Sequence, residues 1–532
     1  MRGFTVFWFG ALFIAAEAQP TFMNMFRGTG TAQANLNELT SGNLKTGLTR
    51  GRGTSIMDGD GNMLQSKIYD VDTFLVMQSV ERFSDNEYFF AGGYYKDSCT
   101  WISGLGTIPH TYPVVGRMDS LGNILHARHY VLNGAGCFHI AGDIEVLSDK
   151  SVLAWGGEAM FALKTDSVGS LLWARHFDRK GSFRFVKELP GGDLLAGINM
   201  DTAGAVLARL DAMGNFIWCK SYLRPSGMVA DGMVESDDSF IITGFTDSTA
   251  STDIFFPLPP DYDPKLFVMK VNGDGEVQWC KGYETPYTWY ARNAVHIVRT
   301  QDGNNVLLAN LGYADYNRWY RPFLMKLDGN GDTLWTRSNG RTSYTYETRN
   351  LLAYSDGGLI YNGRIWGDLP EPGGNFAFLY KANAQGHLPC FERSHPVQVV
   401  DLFPTDSSFT MTSVDGAVAY PAFIEDAPPL PITMYDGCTF TTGVDYMEVR
   451  KGHRPVVRPN PNTGRFTVEF QDPLMAESYY SVYDALGKLL YQRPLPAGAT
   501  LEEVDLGRFG SGTYVIKFTE PEGTCYERVV VE

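Results

Sequence analysis

The chain has 532 residues, which is too long for one ordinary hydrophobic core, so the sequence predicts at least two folded units. Its charged fraction of 20% and apolar fraction of 44% are typical of a folded protein and not of a disordered one. The formal charge of -16 argues against a nucleic-acid surface, because no basic excess is present to displace phosphate counterions. Plentiful glycine, tyrosine and phenylalanine favour an all-β protein with many turns.

Residues 1–18 have the order of a secretory signal peptide. Arg2 is followed by an apolar run from Phe4 to Ala16, and small residues stand at positions 16 and 18. A membrane anchor is the alternative, but the run of about 13 residues is short of the ~20 that span a bilayer. No other segment of the sequence is long and apolar enough to span one. We therefore expect cleavage after Ala18 and an exported protein without a transmembrane segment.

A short phrase around a glycine occurs seven times, at spacings of 45 to 61 residues. Its glycines are Gly61, Gly122, Gly169, Gly214, Gly275, Gly331 and Gly386. Runs of β-forming residues precede and follow each copy, so that one unit holds four short strands of an antiparallel sheet. Units repeated at this period predict a β-propeller, whose blades bury their faces on each other. Seven blades fit the count, while six or eight stay open because 22–26 and the stretch after 388 could add strands.

The aspartates of these turns have two interpretations. Turns such as Asp58-Gly59-Asp60-Gly61 are similar to the start of a calcium loop, which needs glycine at its sixth and glutamate at its twelfth position. The copies richest in aspartate fail that template, and other copies keep the glycine without the extra carboxylates. A hairpin turn with positive φ explains the glycine without an ion. The sequence therefore predicts no metal site.

Six copies carry a basic residue two positions before the acidic or amide residue of the turn. These residues are Arg117, Lys164, Arg209, Lys270, Lys326 and Lys381. A spacing of two places both side chains on one face of the strand. We interpret the pattern as a repeated surface pair of small energetic value. The alternative is a ring of cations that faces the central channel and attracts an anion.

Over about residues 20–390 the phrase resembles the propeller repeats of many secreted Bacteroidota proteins. It is also similar to quinoprotein-type repeats, in which a tryptophan docks one blade on the next. The residues in that position are Trp173, Trp218, Trp279 and Trp335. The resemblance implies the fold and leaves the activity open.

From about residue 451 the sequence predicts a second unit, a small antiparallel β-sandwich. Its motif residues are Pro459, Asn460, Pro461, Gly464, Phe466, Gly487, Gly512 and Tyr514. In this order they resemble the type A C-terminal sorting domain of the type IX secretion system. The resemblance implies export across the outer membrane, binding to the translocon and its shuttle machinery, and removal of the domain by a sortase-like protease. An ordinary fibronectin-like domain is the alternative.

Seven cysteines are an odd number for an oxidising compartment. Cys390 and Cys438 bracket an irregular stretch and form a plausible disulfide, and so do Cys99 and Cys137. Cys219 and Cys280 occupy the same place in two repeats. We expect these last two to be small buried strand residues.

The sequence contains no metalloprotease, nucleophile-elbow, P-loop or dinucleotide-binding motif, so we assign no catalytic residue and expect no cofactor. Quinone-dependent enzymes that oxidise alcohols resemble each other in an adjacent Cys-Cys pair, which this chain lacks. Carboxylate pairs for glycoside hydrolysis converge only in three dimensions. A secreted propeller enzyme, either a glycan-active hydrolase or lyase or a quinoprotein-like oxidoreductase, is therefore the alternative function.

Aromatic residues and arginines concentrate in three stretches between strands of successive units. They are Tyr287, Trp289, Tyr290, Arg292, Tyr316, Arg318, Trp319, Tyr320, Tyr344 and Tyr346. Because matching loops of neighbouring blades lie side by side, these residues predict a surface that stacks sugar rings or anchors a protein. Packing of these large side chains between blades is the alternative.

The sequence as a whole predicts four segments: a signal peptide at 1–18, a propeller at 19–395, a closing segment or linker at 396–450 and a sorting domain at 451–532. The function that we expect is binding or adhesion, outside the cell or at its surface. The expected partners are the secretion machinery and a glycan or protein ligand.

Overall fold

The computed structural model describes residues 21–27, 36–39, 41–46, 53–70, 74–100, 107–133, 139–156, 159–200, 204–223, 227–236, 238–246, 265–285, 288–289, 295–312, 320–340, 344–367, 376–427, 433–436, 455–470, 474, 478–484, 488–520 and 523–532. The predicted signal peptide lies outside these ranges. The chain divides into two compact units, Met1–Phe440 and Thr441–Glu532.

The strands of the first unit form antiparallel blades of four strands, numbered here along the chain, and in blade 6 two short strands together take the first position. The first strand, β1 (Phe22–Arg27), belongs to the last blade. Blade 1 contains β2 (Asn37–Glu38), β3 (Leu44–Thr46), β4 (Gly53–Met57) and β5 (Met63–Asp70). Blade 2 contains β6 (Phe74–Ser84), β7 (Glu87–Thr100), β8 (Thr107–Asp119) and β9 (Ile124–Leu132). Blade 3 contains β10 (Asp143–Val146), β11 (Val152–Gly156), β12 (Ala159–Thr165) and the first part of β13 (Leu171–Glu188).

The long strand β13 ends blade 3 and continues directly into blade 4. Blade 4 adds β14 (Leu194–Met200), β15 (Gly204–Leu210) and β16 (Phe216–Tyr222). Blade 5 contains β17 (Met228–Val234), β18 (Phe240–Phe245), β19 (Leu266–Val271) and β20 (Val277–Glu284). Blade 6 contains β21 (Thr288–Trp289), β22 (His296–Arg299), β23 (Asn305–Gly312), β24 (Tyr320–Leu327) and β25 (Thr333–Asn339). Blade 7 starts with β26 (Tyr344–Ala353), β27 (Leu359–Gly367) and β28 (Phe376–Ala382).

Blade 7 is completed by the N-terminal strand β1, which pairs with β28 over its whole length. The described strands therefore build seven blades, and the prediction of a seven-bladed β-propeller is confirmed. The first and last parts of the repeat region share one sheet, so the ring closes through backbone hydrogen bonds and not only through side chains. This also explains why the seventh glycine turn, at Gly386, is not followed by a fourth strand of its own.

Residues 388–436, which we call the belt, add a fifth strand to the outer edge of every blade. Its strands are β29 (Glu392–Arg393), β30 (Gln398–Asp401), β31 (Ser407–Ser408), β32 (Ser413–Asp415), β33 (Ala417–Pro421), β34 (Glu425–Ala427) and β35 (Thr433–Asp436). They pair in turn with blades 6, 5, 4, 3, 2, 1 and 7. The belt thus runs once around the ring, against the order of the blades, through much of the stretch in which we had expected a closing segment or linker.

The belt also contributes apolar side chains to the interfaces between blades. Met411 is 8% exposed in the core between blades 3 and 4, and Ala422 is 9% exposed in the core between blades 1 and 2. Leu402 packs between blades 4 and 5, and Val399 packs between blades 5 and 6. Because each contact removes apolar surface from water at about 25 cal/mol per Å², the belt is part of the core and not only a cover.

The predicted docking tryptophans lie against the glycine turns of the following blades, as the resemblance implied. A Cβ atom placed on Gly275 would lie 2.9 Å from the ring of Trp218, and one on Gly331 would lie 2.9 Å from Trp279. In addition, the Trp218 indole donates a hydrogen bond of 3.2 Å to the carbonyl of Gly273. The same contacts occur at Gly214 and Gly386, so a side chain at the turn glycine would collide with the ring of the preceding blade.

At the closure of the ring, Phe22 of β1 takes the place of the tryptophan. It stands opposite Lys381, as Trp218 stands opposite Arg209, and its ring lies against Gly61 of blade 1. The N-terminal strand therefore supplies both the fourth strand of blade 7 and the aromatic residue that docks this blade on blade 1.

Hydrogen bonds repeat this contact from blade to blade. Hydroxyl groups of Tyr69, Tyr130, Tyr222 and Tyr283 each donate to the carbonyl of the turn glycine in the next blade, at 2.5 to 2.9 Å. All four side chains are buried. A buried hydrogen bond of this kind contributes about 1 kcal/mol, and losing one partner costs more because the other is left unsatisfied.

The basic residues before the turns form ion pairs different from those that we expected. Lys164, Lys326 and Lys381 reach Asp149, Asp302 and Asp356 at 2.7 to 3.0 Å, in the turn between the first two strands of their own blade. Several also reach the next blade, for example Lys381, which donates to the carbonyl of Gly59. The three lysine side chains are 1% to 11% exposed and their aspartate partners 30% to 56%, so each pair joins a buried lysine to a partly exposed turn.

The turn aspartates act as turn formers. The Asp58 carboxylate accepts hydrogen bonds from the backbone amides of Asp60 and Asn62, at 3.0 and 2.8 Å. These bonds lower the pKa of the carboxyl group although partial burial opposes them. Gly61 has a φ of 80°, as the predicted hairpin requires. Asp211 and Asp328 make the same contacts in their blades.

The second unit contains two antiparallel sheets around their own core. One sheet contains β36 (Val456–Arg458), β37 (Arg465–Glu469) and β40 (Leu501–Asp505). The other has the order β39 (Leu489–Leu495), β38 (Ser478–Tyr483), β41 (Gly512–Glu520) and β42 (Gly523–Val531). A single turn of 3-10 helix at Gly507–Phe509 follows β40. Both sheets contribute to the core, for example with Phe466, Val504, Tyr480 and Ile516, which agrees with the predicted sandwich.

The docking contact predicts an unequal effect of two alanine substitutions. Gly275 (φ 75°) and Gly303 (φ 79°) both have left-handed backbones, but nothing lies within 4 Å of a Cβ atom at Gly303. Gly303→Ala should lower the free energy of unfolding by about 1–2 kcal/mol, because only backbone strain is added. Gly275→Ala should lower the free energy of unfolding by about 1–3 kcal/mol more than Gly303→Ala does, because its methyl group overlaps the Trp218 ring. Denaturant unfolding of both variants measures this difference, and equal losses would contradict the docking role.

The cysteines give a second prediction. Cys390 is disulfide-bonded, and its Sγ lies 3.3 Å from Sδ of Met23 in β1. Cys438 lies outside the described residues, two positions after the end of β35, which pairs with β1. We therefore keep Cys438 as the predicted partner. Peptide mapping of the exported protein without reductant should show the Cys390–Cys438 peptide, and a different partner of Cys390 would refute the pairing.

The two buried thiols provide the control for that experiment. Cys219 and Cys280 are free and buried, and burial raises the pKa of each thiol to about 12. Native protein should therefore react with iodoacetamide at neither residue, whereas unfolded protein should react at both.

Candidate functional site

Along the chain, the predicted aromatic and arginine residues fall between strands 2 and 3 of blade 6 and around the connections from strand 4 of one blade to strand 1 of the next. We call the end of a blade at which these connections start and finish the loop face. Residues Tyr287, Tyr290, Arg292, Tyr316, Arg318 and Trp319 lie outside the described residues. For Trp289 and Tyr344 the backbone is described and the side chain is not. Side chains are described only for Tyr320, which is half-buried, and Tyr346.

Strand register brings several of these positions together in blade 6. Trp289 pairs with Leu311, which pairs with Arg321 on the other side. In the next row, Thr288 pairs with Gly312, which pairs with Tyr320. Trp289 and Tyr320 are thus two strands apart at the same end of one sheet. The two positions are one row apart, and successive rows of a sheet point to opposite faces, so the register brings their backbones to one end of blade 6 but not to one face of its sheet.

Tyr346 packs between blades instead. It is 1% exposed, lies in the core between blades 6 and 7, and meets Phe378 edge to face with ring centroids 5.6 Å apart. Its ring also lies against Gly340, where a Cβ atom would be 2.7 Å away. For this residue the packing alternative describes the structure, and it offers no surface to a ligand.

Three adjacent blades place charged residues on their innermost strands, which line the central channel. These residues are Glu81 in blade 2, Glu145 in blade 3 and Lys187 in blade 4. They stand at the same height, or level, in the ring. In each blade, the charged residue on the first strand pairs with a residue of the second strand, and that residue pairs in turn with the basic residue before the glycine turn on the third strand. These basic residues are Arg117, Lys164 and Arg209, respectively. The Lys187 ammonium lies 2.8 Å from the Glu145 carboxylate.

The same level is occupied by Asn37 in blade 1 and is apolar in blades 5, 6 and 7. The corresponding residues are Met233 in blade 5, Val298 in blade 6 and Leu352 in blade 7. All three are half-buried and pack against the cores between blades. One ring of the channel therefore has a charged sector opposite an aliphatic one. The sequence did not predict this arrangement, although Glu145, Lys187, Met233, Val298 and Leu352 each stand one position before the end of their strand and Glu81 stands three before it.

Glu81 has the most perturbed carboxyl group of this sector. Burial raises the pKa of Glu81 to about 8, and the nearby carboxylates of Glu145 and Asp143 raise it further than the Lys187 ammonium lowers it. At neutral pH the side chain is therefore largely a neutral acid and can donate a hydrogen bond. Lys187 remains charged, since the carboxylates of Glu145 and Asp231 outweigh the burial that lowers its pKa. Its side chain is still 36% exposed, so water in the channel screens this pair.

The neighbouring carboxylates already have partners. Asp143 accepts a hydrogen bond of 2.6 Å from the Ser79 hydroxyl and one from its own strand at Ile144. Asp231 accepts from the backbone amides of Gly232 and Ile297, which joins blades 5 and 6. Among the described residues, no group of three or more His, Cys, Asp or Glu side chains is arranged to hold a metal ion. The sector therefore offers acid–base chemistry, with Glu81 as the donor.

Most motif residues of the second unit have a structural role in its sheets and turns. The Asn460 side chain accepts from the Val530 amide and donates to the Arg528 carbonyl, so the Pro459–Pro461 segment is tied to the last strand. Gly464 has a φ of 99° at the next turn. The Tyr514 hydroxyl donates to the carbonyls of Phe509 and Gly510, and Phe466 is buried. Gly512 begins β41, and Gly487 lies outside the described residues.

Comparison with known proteins identifies this second unit. Residues 456–532 match the family described as secretion system C-terminal sorting domain. No curated protein matches the chain. The chain is similar to a solved protein of unknown function from Bacteroides caccae, with 10% identity, a TM-score of 0.32, and coverage of 60% of this chain and 94% of the other. It is also similar to a streptogramin B lyase, with 12% identity, a TM-score of 0.41, and coverage of 68% and 99%.

These structural likenesses are too distant to carry an argument about function, and the propeller assignment rests on the strand pairing. The family match confirms the resemblance drawn from the motifs: the chain carries a C-terminal sorting domain of the type IX secretion system. Within the described ranges, no helix has the length and apolar character to cross a membrane.

The channel predicts a pH dependence of stability. The folded protein holds a proton on Glu81 up to about pH 8, whereas the unfolded chain loses it near the usual value of 4.5. Stability contributed by this group therefore falls as pH rises through that window. Glu81→Gln should lose less stability between pH 5 and 8 than the parent protein does, in unfolding titrations at several pH values.

Glu276→Gln is the matched control, because Glu276 is an exposed glutamate at a blade turn. It should keep the pH profile of the parent protein. A Glu81→Gln profile parallel to that of the parent would show that Glu81 titrates normally.

Proposed function

We propose that this protein is a binding protein of the cell surface or its surroundings, whose propeller recognises a glycan or a protein. The sorting domain supports export, and attachment to the surface after removal of that domain is part of the proposal. The ligand site is the aromatic and arginine surface on the loop face of blades 5 to 7.

One observation carries this proposal. The register of blade 6 puts Trp289 and Tyr320 at the same end of one sheet, and Tyr344 starts the first strand of the adjacent blade 7. The backbones of these three aromatic residues on the loop face support the proposal. Sugar rings stack on such aromatic faces, and protein hot spots are rich in Trp, Tyr and Arg.

A glycan array and a pull-down with surface extracts test the proposal. The triple variant Trp289→Ala, Trp319→Ala and Tyr320→Ala should lose ligand retention at least about tenfold, since each aromatic anchor typically contributes 1–2 kcal/mol or more. The proposal also predicts that the thermal unfolding midpoint of this variant stays close to that of the parent, which shows that the loss is one of binding and not of folding.

The double variant Phe403→Ala and Phe423→Ala is the control. Both rings lie on the belt and are 89% and 74% exposed, so it removes exposed aromatic surface elsewhere. Retention should be unchanged in this variant. Equal retention by the triple variant and the parent would refute the loop face as the binding site.

An acid–base enzyme is the second candidate, and the charged sector of the channel favours it. A neutral Glu81 can act as a general acid at neutral pH, and the aliphatic sector opposite would hold an apolar part of a substrate. Turnover on a polysaccharide panel that is lost in Glu81→Gln, with folding intact, would support the enzyme. Retention of ligand without turnover in the parent protein supports binding.

A further inference from the structure

The four-stranded sheet of the sorting domain has two different edges. At one edge, the last strand β42 is covered: Asn462 pairs with Val531 in a parallel bridge, and the Asn462 amide donates to the Val530 carbonyl. At the other edge, β39 pairs with β38 alone among the described strands. A strand with one unpaired side presents backbone groups to which another chain can add.

A groove of about 650 Å³ follows this open edge, and arginines line it. Arg465, Arg493 and Arg508 face it together with Tyr491, Glu503 and Asp505. A second groove of about 570 Å³ continues along the same strand past Arg493, with Gln492 and Pro494 in its lining. The two grooves together follow β39 from Tyr491 to Leu495.

Two of the arginines, Arg493 and Arg508, lie against aromatic rings and, in the described ranges, not against carboxylates. The Arg493 guanidinium lies over the Tyr491 ring at 5.7 Å, and the Arg508 guanidinium lies 5.6 Å from the same ring and 4.6 Å from Phe509. In the described part of the chain neither has a carboxylate within 4.0 Å, whereas Arg465 is paired with Asp505 at 2.9 Å. Stacking on the aromatic rings fixes the guanidinium planes without satisfying their donors.

Charge distribution points to an acidic partner. Acidic residues outnumber basic ones in residues 456–532, yet three of the seven Lys and Arg residues of this stretch line the one groove. Asp505 is paired with Arg465, and Glu503 repels a dianion such as phosphate more strongly than it repels a single carboxylate, so the groove favours a singly charged group. A carboxylate on an extended chain can reach Arg493 and Arg508 while its backbone pairs with the strand.

We propose that the open edge of β39 and its arginine groove bind an extended acidic segment of a partner protein by strand addition. The segment forms backbone hydrogen bonds with β39 up to Pro494, which has no N–H group to donate and so limits the added strand. Its alternate side chains point to opposite faces, and a carboxylate on one face meets Arg493 and Arg508. The inference concerns the sorting domain and is independent of the ligand of the propeller.

The test uses the full chain and a synthetic eight-residue peptide of alternating glutamate and valine, with affinity measured by fluorescence anisotropy. Arg493→Glu and Arg508→Glu should each weaken binding by about tenfold or more, because they replace attraction by repulsion at a partly desolvated contact. Lys488→Glu is the matched control, since Lys488 is exposed and outside both grooves. It should change the affinity by less than about twofold.

Two further probes separate strand addition from simple anion binding. The same peptide with an N-methyl group on every residue has no amide N–H left to donate on either edge, so it cannot pair with an edge strand and should not bind. Inorganic phosphate should not displace the unmodified peptide when its negative charges are as concentrated as the carboxylates of the peptide. If the methylated peptide binds as well as the parent peptide, or phosphate displaces it through the same arginines, the proposal is overturned. Loss of affinity in Lys488→Glu equal to that in Arg493→Glu would also overturn it.

Discussion

The contact between a glycine turn and the last strand of the preceding blade is the interaction on which the propeller depends. At five of the seven turns a tryptophan or phenylalanine ring lies on the left-handed glycine, whereas Gly122 and Gly169 meet polar side chains of the preceding blade. At several turns a tyrosine or lysine also donates to a backbone carbonyl of the turn. Each contact is worth only a few kcal/mol. Repeated around the ring, it fixes the distance and angle between successive blades, and through them the geometry of the channel and the loop face.

Closure of the ring adds a second constraint, because a blade sheet has an exposed outer edge and a chain of blades has two free ends. Strand β1 joins the ends by completing blade 7. The belt then covers part of every outer edge and places side chains such as Met411 and Leu402 in the cores between blades. Exposed strand edges can pair with other chains, and the belt strands occupy part of the outer edge of each blade.

Much of this architecture could be predicted from the sequence, because it repeats. The turn glycines, the docking tryptophans and the two strands of each phrase recur at equivalent positions, and hairpin chemistry allows few alternatives there. The belt does not repeat: its strands have two to five residues and little alternation, so only their pairing partners in space define them. The charged sector of the channel was missed for a related reason. Glu81, Glu145 and Lys187 look like ordinary surface residues until the register of three blades puts them on one level, and Tyr346 looks like a surface residue until its strand turns it inward.

Amide hydrogen exchange of the exported protein tests most directly the claim that the belt is an integral part of the closed ring. Amides of Gln398–Asp401 and Ala417–Pro421 should be protected together with those of their partner strands in blades 5 and 2, since unpairing them would also open the cores between blades. Exchange of the belt amides within seconds, while the partner strands stay protected, would contradict the account and reduce the belt to a loosely attached tail.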